Sequence, residues 1–118
     1  MKLTTVVNVR ATDAWTVYGG RGKNPRTNRI EAAGWENPFS VKEYGRAGCM
    51  RRFFAHVRQR RDLVERAIKE LPGEVLGCWC KPGQCHCDVW AGLANGRTLD
   101  EIEKDWAWIY VFQRDLFT

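Results

Sequence analysis

Between Cys78 and Asp88 the chain concentrates side chains that bind metals or carry protons: Cys78, Cys80, Cys85, His86, Cys87 and Asp88. Three chemistries can use such a string. The first is zinc, whose preferred ligands are thiolate and imidazole and which needs four of them for a closed tetrahedral site. Cys78, Cys80, Cys85 and His86 supply that count, with Cys87 as the alternative to the histidine, although the spacing is not that of two CxxC knuckles. The second is a reactive thiol. Cys85 stands where a helix is expected to begin, and free amides with the helix dipole lower a thiol pKa there. Lys81 would assist, and His86 or Asp88 could carry the proton. The third is packing, because free cysteine is among the most buried residue types. Cys49, isolated in a helical stretch, reads as structural.

Other polar residues stand out by type and place. Arg10 and Arg21 are candidates to hold an anionic group, Asn37 to orient a polar edge, and Asn8 and Lys81 to complete a ligand-binding set. A turn at Lys81 that leads into a helix is a plausible anion seat, since unpaired amides point outward there. Most of the six tryptophans read as core. Trp35 is the exception, because it lies in a polar loop and can stack on a base or sugar; folding of that loop onto the body explains it equally well.

These side chains need elements to position them. Residues 4–10 are β-rich and predict a first strand, and Trp15–Tyr18 a second. Residues 21–38 hold Gly22, Pro25, Gly34 and Pro38 with four basic side chains, and read as a long loop, the expected mobile element of a binding site. From Ser40 to Leu71, Met50, Phe53, Phe54 and Val57 recur with helical period, and Leu63, Val64, Ala67, Ile68 and Leu71 continue it. Arg60 and Arg61 interrupt the stripe and Asp62 can cap a new start, so two helices or one bent helix are expected. Glu74–Cys80 reads as a buried strand that turns both Cys78 and Cys80 to one face. A helix is expected over Cys85–Ala94, and Thr98 with Glu101 has capping-box spacing for a last one. The tail 109–112 could instead form an edge strand.

Strands on both sides of a helical middle predict a small α/β sandwich with a short, mostly parallel sheet. Ligands of open α/β sheets collect beyond the carboxyl ends of the strands. Parallel strands would bring Arg10, Gly19–Arg21 and Cys80–Cys85 to that edge. At 118 residues the chain is expected to be a single domain, 1–118, and to bury roughly two-thirds of its unfolded surface. It is 44% hydrophobic and 28% charged, a composition that excludes disorder. No apolar run reaches the ~20 residues of a membrane span, and no secretory signal is read at the start, so a cytoplasmic protein with reduced thiols is expected. Residues 1–72 hold 15 Lys and Arg against 7 Asp and Glu, and residues 73–118 hold 4 against 7. A basic half attracts phosphate, or is a solvated helix face.

Val7-Asn8-Val9-Arg10, then Tyr18-Gly19-Gly20-Arg21, Gly34-Trp35-Glu36-Asn37-Pro38-Phe39 and Cys78-Trp79-Cys80-Lys81-Pro82 with Cys85-His86 and Asp88-Val89 follow one another along the chain. In that order they resemble domain-of-unknown-function family 4326, small proteins of phages and bacteria, over about residues 5–93, which leaves 97–118 as an extension. Cys87 stands where that family usually has glycine. The resemblance implies a phage or prophage setting, hence the cytoplasm of a bacterial host cell, and supplies no activity. Three readings of function result. The first is a nucleotide- or nucleic-acid-directed domain, with Arg10 and Arg21 on the anion and the Cys80/Cys85/His86/Asp88 cluster binding metal or doing chemistry. The second is a non-enzymatic protein that binds a host protein through the basic helix 50–61, its cysteines forming a structural zinc site. A thiol redox protein is the third, and CxC is not the motif of that chemistry.

Overall fold

The computed structural model describes residues 2–30 and 34–115, with side chains described as far as residue 111. Thr5, Val6 and Val7 are β-branched residues that suit a pleated surface, and they form β1 (Thr5–Asn8). After a turn, β2 (Val17–Tyr18) follows. Both strands are shorter than their β-rich stretches, because pairing with a third, four-residue strand limits them. The segment expected to be a loop contains a hairpin, β3 (Lys23–Asn24) and β4 (Arg29–Ile30), paired antiparallel. Asn24 closes it: its side-chain oxygen accepts from the Arg26 amide at 2.8 Å and its carbonyl from the Asn28 amide at 2.8 Å. Arg26 lies over the Trp15 ring at 3.6 Å and ties the hairpin to the body.

Ser40 caps α1 (Val41–Gln59) by accepting the Glu43 amide at 3.1 Å. Gly45, at φ 71°, breaks the helix near its start; only glycine adopts that conformation without strain. The expected second break occurs at Arg60 (φ −109°, ψ 69°), and α2 (Arg61–Glu70) follows. Arg60, not Asp62, occupies the N-cap position, and the Asp62 carboxylate instead receives two Arg60 hydrogen bonds of 2.9 Å.

The strand β5 (Val75–Cys78) ends at Cys78, two residues before Cys80. It lies between the other two strands, order β1-β5-β2, and pairs with both in parallel. Gly77 is required by close approach: a Cβ there would stand 2.7 Å from Val9 and 2.8 Å from Trp15. The helix α3 (His86–Ala94) packs on β1 and β5, with Cys85 as its N-cap. The capping box at Thr98 and Glu101 forms as its spacing predicts and starts α4 (Leu99–Lys104). The tail is not an edge strand: α5 (Trp108–Asp115) is helical and lies against α1, where its Ile109 is fully buried. A mixed α/β protein with a short parallel sheet is therefore what the chain forms. Its buried cluster runs from Trp35 through Phe53, Phe54 and Trp90 to Trp106 and Ile109. No helix among the described residues is long and apolar enough to cross a membrane.

Candidate functional site

Because the three strands are parallel, their carboxyl ends share one edge, and the predicted residues gather there. The Asn8 amide donates to the carbonyls of Trp79 (3.2 Å) and Lys81 (2.7 Å), and its oxygen accepts the Arg10 amide at 2.8 Å. Asn8 thus braces the turn after β5, with both of its amide hydrogens spent within the chain. Tyr18 accepts the Trp79 indole N–H at 2.6 Å and donates to the Arg21 carbonyl at 2.8 Å. Lys81 pairs with Asp88 at 2.6 Å, while the other Asp88 oxygen accepts the Cys85 amide at 2.9 Å. Asp88 is therefore committed to holding the start of α3, which leaves it poorly placed as a proton carrier.

The sulfurs converge. The Cys85 thiol interacts with those of Cys78, Cys80 and Cys87, and the Cys78 thiol with that of Cys87. Backbone N–H groups of Lys81 and Cys80 are directed at the Cys78 sulfur. Cys78, Cys85 and Cys87 are buried and Cys80 is exposed. His86 stands among them, with Nε2 2.7 Å from the Gly19 carbonyl, Nδ1 3.7 Å from Cys85 Sγ and Nε2 3.7 Å from Cys87 Sγ. A carbonyl only accepts, so Nε2 carries the proton and Nδ1 presents its lone pair. Burial pushes the His86 pKa down and keeps the ring neutral. Cys85, His86 and Cys87 can together hold a metal ion, their ligand atoms lying within 4.8 Å of one another.

The thiols do not titrate as the start of a helix alone predicts. Cys85 is pushed far up, first by the Cys78 thiol, then by Cys80 and Cys87. Cys78 is held well below the ordinary thiol range by hydrogen bonds from Cys85 and Cys87. Cys80 is also lowered, to about 7, first by its hydrogen bond with the Cys85 thiol. The upward shift at Cys85 disfavours it as the ionised, nucleophilic member of the cluster.

A cavity of about 170 Å³ opens beside these thiols. Gly20, Arg21, Asn37, Arg46, Trp79 and Cys80 contribute to its wall, with Cys78, Cys85 and His86 behind. Asn37 is buried; its amide donates to Cys49 Sγ at 3.0 Å and its oxygen accepts the Phe39 amide at 3.0 Å. Trp35 does not face a ligand. It is 4% exposed, meets Trp90 edge to face at 5.1 Å, and accepts the Trp90 indole N–H on its carbonyl at 2.7 Å. The polar loop folds onto the body because that indole removes a large apolar area from water. The exposed indole at the cavity is Trp79, 40% exposed, with the Arg10 guanidinium 5.0 Å from its ring. Period-two alternation signals this, since a face that takes in Cys78 turns its successor outward. Arg46, which bonds the Gln84 carbonyl, carries no comparable signal, because nothing local separates it from the other arginines of α1.

That basic helix is largely tied down. Arg51 bonds the Ile109 carbonyl, Arg52 lies over Tyr44 at 4.0 Å, Arg58 pairs with Asp100 at 2.9 Å and with Glu103, and Arg60 pairs with Asp62. Arg21 and Arg46, by contrast, form no ion pair with a carboxylate among the described residues.

Fold and site together define a small parallel α/β protein whose sheet edge carries a thiol-rich cavity flanked by arginines. The chain belongs to the family described as a domain of unknown function, DUF4326, which matches residues 7–96. It is also similar to an uncharacterized protein of Acanthamoeba polyphaga mimivirus, at 35% identity over 65 residues, 54% of this chain and 48% of that protein. The chain thus spans about half the length of the curated relative it matches. No solved structure matches it. The family match confirms the resemblance read from the motifs. It runs from β1 to just past α3, so it includes every cysteine and the cavity and leaves out α4 and α5.

Proposed function

We propose that the protein binds a mononucleotide at the carboxyl edge of its sheet, in the cytoplasm of a host cell. In this reading Arg21 and Arg46 hold the phosphate, the exposed Trp79 face meets the base, and the Cys/His group behind them holds zinc. The observation that carries it is the cavity itself, where two arginines without carboxylate partners among the described residues flank an exposed indole. Charge-assisted hydrogen bonds suit the arginine fork to phosphate. A host-protein surface on helix 50–61 is less well supported, because four of its five arginines are already partnered within the chain.

Titration calorimetry with each of the four nucleoside monophosphates tests the reading. One of them is expected to bind, and Arg21→Ala or Arg46→Ala to weaken it about 10- to 100-fold, the worth of one hydrogen bond to a charged group. Unchanged affinity in the double variant, or no binding of any of the four at millimolar concentration, overturns it. Tight binding of a single-stranded oligonucleotide with none of its monomers would transfer the function to nucleic acid.

A further inference from the structure

Two residues of the cavity wall, Trp79 and Arg21, are tied together by a single hydroxyl group. Tyr18 accepts the Trp79 indole N–H at 2.6 Å and donates its own proton to the Arg21 carbonyl at 2.8 Å. A phenol does both at once, because its oxygen carries one proton and also accepts. Tyr18 is itself firmly held. It ends β2, paired with Gly77 of the central strand, and is buried with its ring 6.0 Å from that of Trp15. The chain beyond it folds back beneath the ring. A Cβ on Gly20 would stand 2.7 Å from the hydroxyl oxygen and 2.8 Å from ring carbons, so a side chain there would push the tyrosine off its partners.

Trp79, at the other end of the link, is 40% exposed. Its backbone carbonyl accepts the Asn8 amide at 3.2 Å, and the Arg10 guanidinium lies 5.0 Å from its ring. An indole so exposed is only partly fixed by packing, and the hydrogen bond to Tyr18 selects its orientation. That bond also spends the indole N–H, so Trp79 offers a ligand its ring face and no donor.

We propose that Tyr18 is a positioning residue of the nucleotide site, its hydroxyl fixing the Trp79 ring that covers the base relative to the Arg21 that holds the phosphate. This rests on the mononucleotide reading and adds to it a residue that acts through two others. Base and phosphate of one nucleotide are covalently joined, so binding one raises the effective concentration of the other only where their two partners stand at a matching distance. Partners free to drift forfeit that gain, while each still binds its own half of the ligand.

Tyr18→Phe keeps the ring and removes the hydroxyl. With the four nucleoside monophosphates titrated into the full chain, the variant is expected to bind about tenfold more weakly than the parent, the worth of one neutral hydrogen bond. Inorganic phosphate and the matching nucleoside, titrated separately and followed by NMR shifts, are expected to behave alike in both proteins, since neither spans the two partners. An equal fall for inorganic phosphate would show a general loosening of the fold and overturns the positioning role. Unchanged monophosphate affinity in Tyr18→Phe also overturns it, and leaves the nucleotide reading intact. A second measurement needs no variant at Tyr18 to fold. The Trp79 indole N–H of the parent, assigned by its absence in Trp79→Phe, is expected to exchange with solvent about tenfold or more slower than free tryptophan; exchange at the free rate overturns the link. If no monophosphate binds the unsubstituted protein, the nucleotide reading and the positioning role fall together.

Discussion

At the scale of single residues, side chains that look ready for chemistry are often occupied in structure. Asn8, Lys81 and Asp88 were legible in the sequence as polar motif residues, yet their hydrogen bonds go to the turn after β5 and to the start of α3. Their work is to hold Trp79, Cys80 and Cys85 in place. Asp62 shows the same economy at the kink between α1 and α2. Hydrogen bonds from Arg60 hold its carboxyl at about 2, below the ordinary 3.8. A depressed carboxylate pKa adds stability that is present above the unfolded value and lost as pH falls through the folded one. Asp62→Asn is accordingly expected to lower the urea midpoint modestly at pH 6, as surface pairs do, with the difference from the parent closing between about pH 4 and pH 2. A gap that persists unchanged at pH 2 would show that the carboxylate charge is not the cause.

At the scale of elements, hydrophobic period and cap chemistry located the helices, and contacts between elements set their limits. Arg60–Arg61 interrupts the apolar stripe and the helix does break there. The break at Gly45 was not signalled, since isolated glycine is tolerated within helical patterns. The hairpin at 23–30 was missed because two-residue strands are too short to show a period, and a side-chain closure at Asn24 organises them. The junction of α3 and α4 is similarly invisible in sequence. A Cβ on Gly92 would stand 2.7 Å from Ile102 Cδ1, so these helices meet where glycine leaves room. Gly92→Ala should destabilise the protein by about 1–3 kcal/mol through overpacking. Combining it with Ile102→Ala, which removes the opposing atoms, should cost less than the two single losses added together. Equal additivity in denaturant unfolding would show that the two positions do not share that space.

For the whole molecule, the tail beyond the family match is part of the same core. Trp106 is 2% exposed, with its ring 6.1 Å from that of Phe54 on α1, and Ile109 is fully buried against α1. A protein of this family therefore gains here a cover over the face of α1 that carries Phe54. Trp106→Ala is expected to cost about 3–5 kcal/mol, as for other large-to-small core changes, in a single cooperative transition followed by both far-ultraviolet dichroism and fluorescence. A loss below about 1 kcal/mol, or two separate transitions, would show that residues 97–118 form an appendage to a core complete without them.

The sequence by itself determined a mixed α/β protein, the two-helix middle, the capping box at Thr98 and the family, because each rests on periods, caps and motifs that are local in the chain. It also marked the cysteine string, since clustering of metal-binding types needs no fold to be seen. Only the tertiary structure decided that Trp35 is core and Trp79 exposed, that four of the five arginines of helix 50–61 are partnered while Arg21 and Arg46 face a cavity, and that His86 offers Nδ1. Those outcomes depend on which strand lies beside which. The order β1-β5-β2 sets Tyr18 beside Trp79 and Gly19 beside His86, and proximity between residues some sixty positions apart is written in no local pattern.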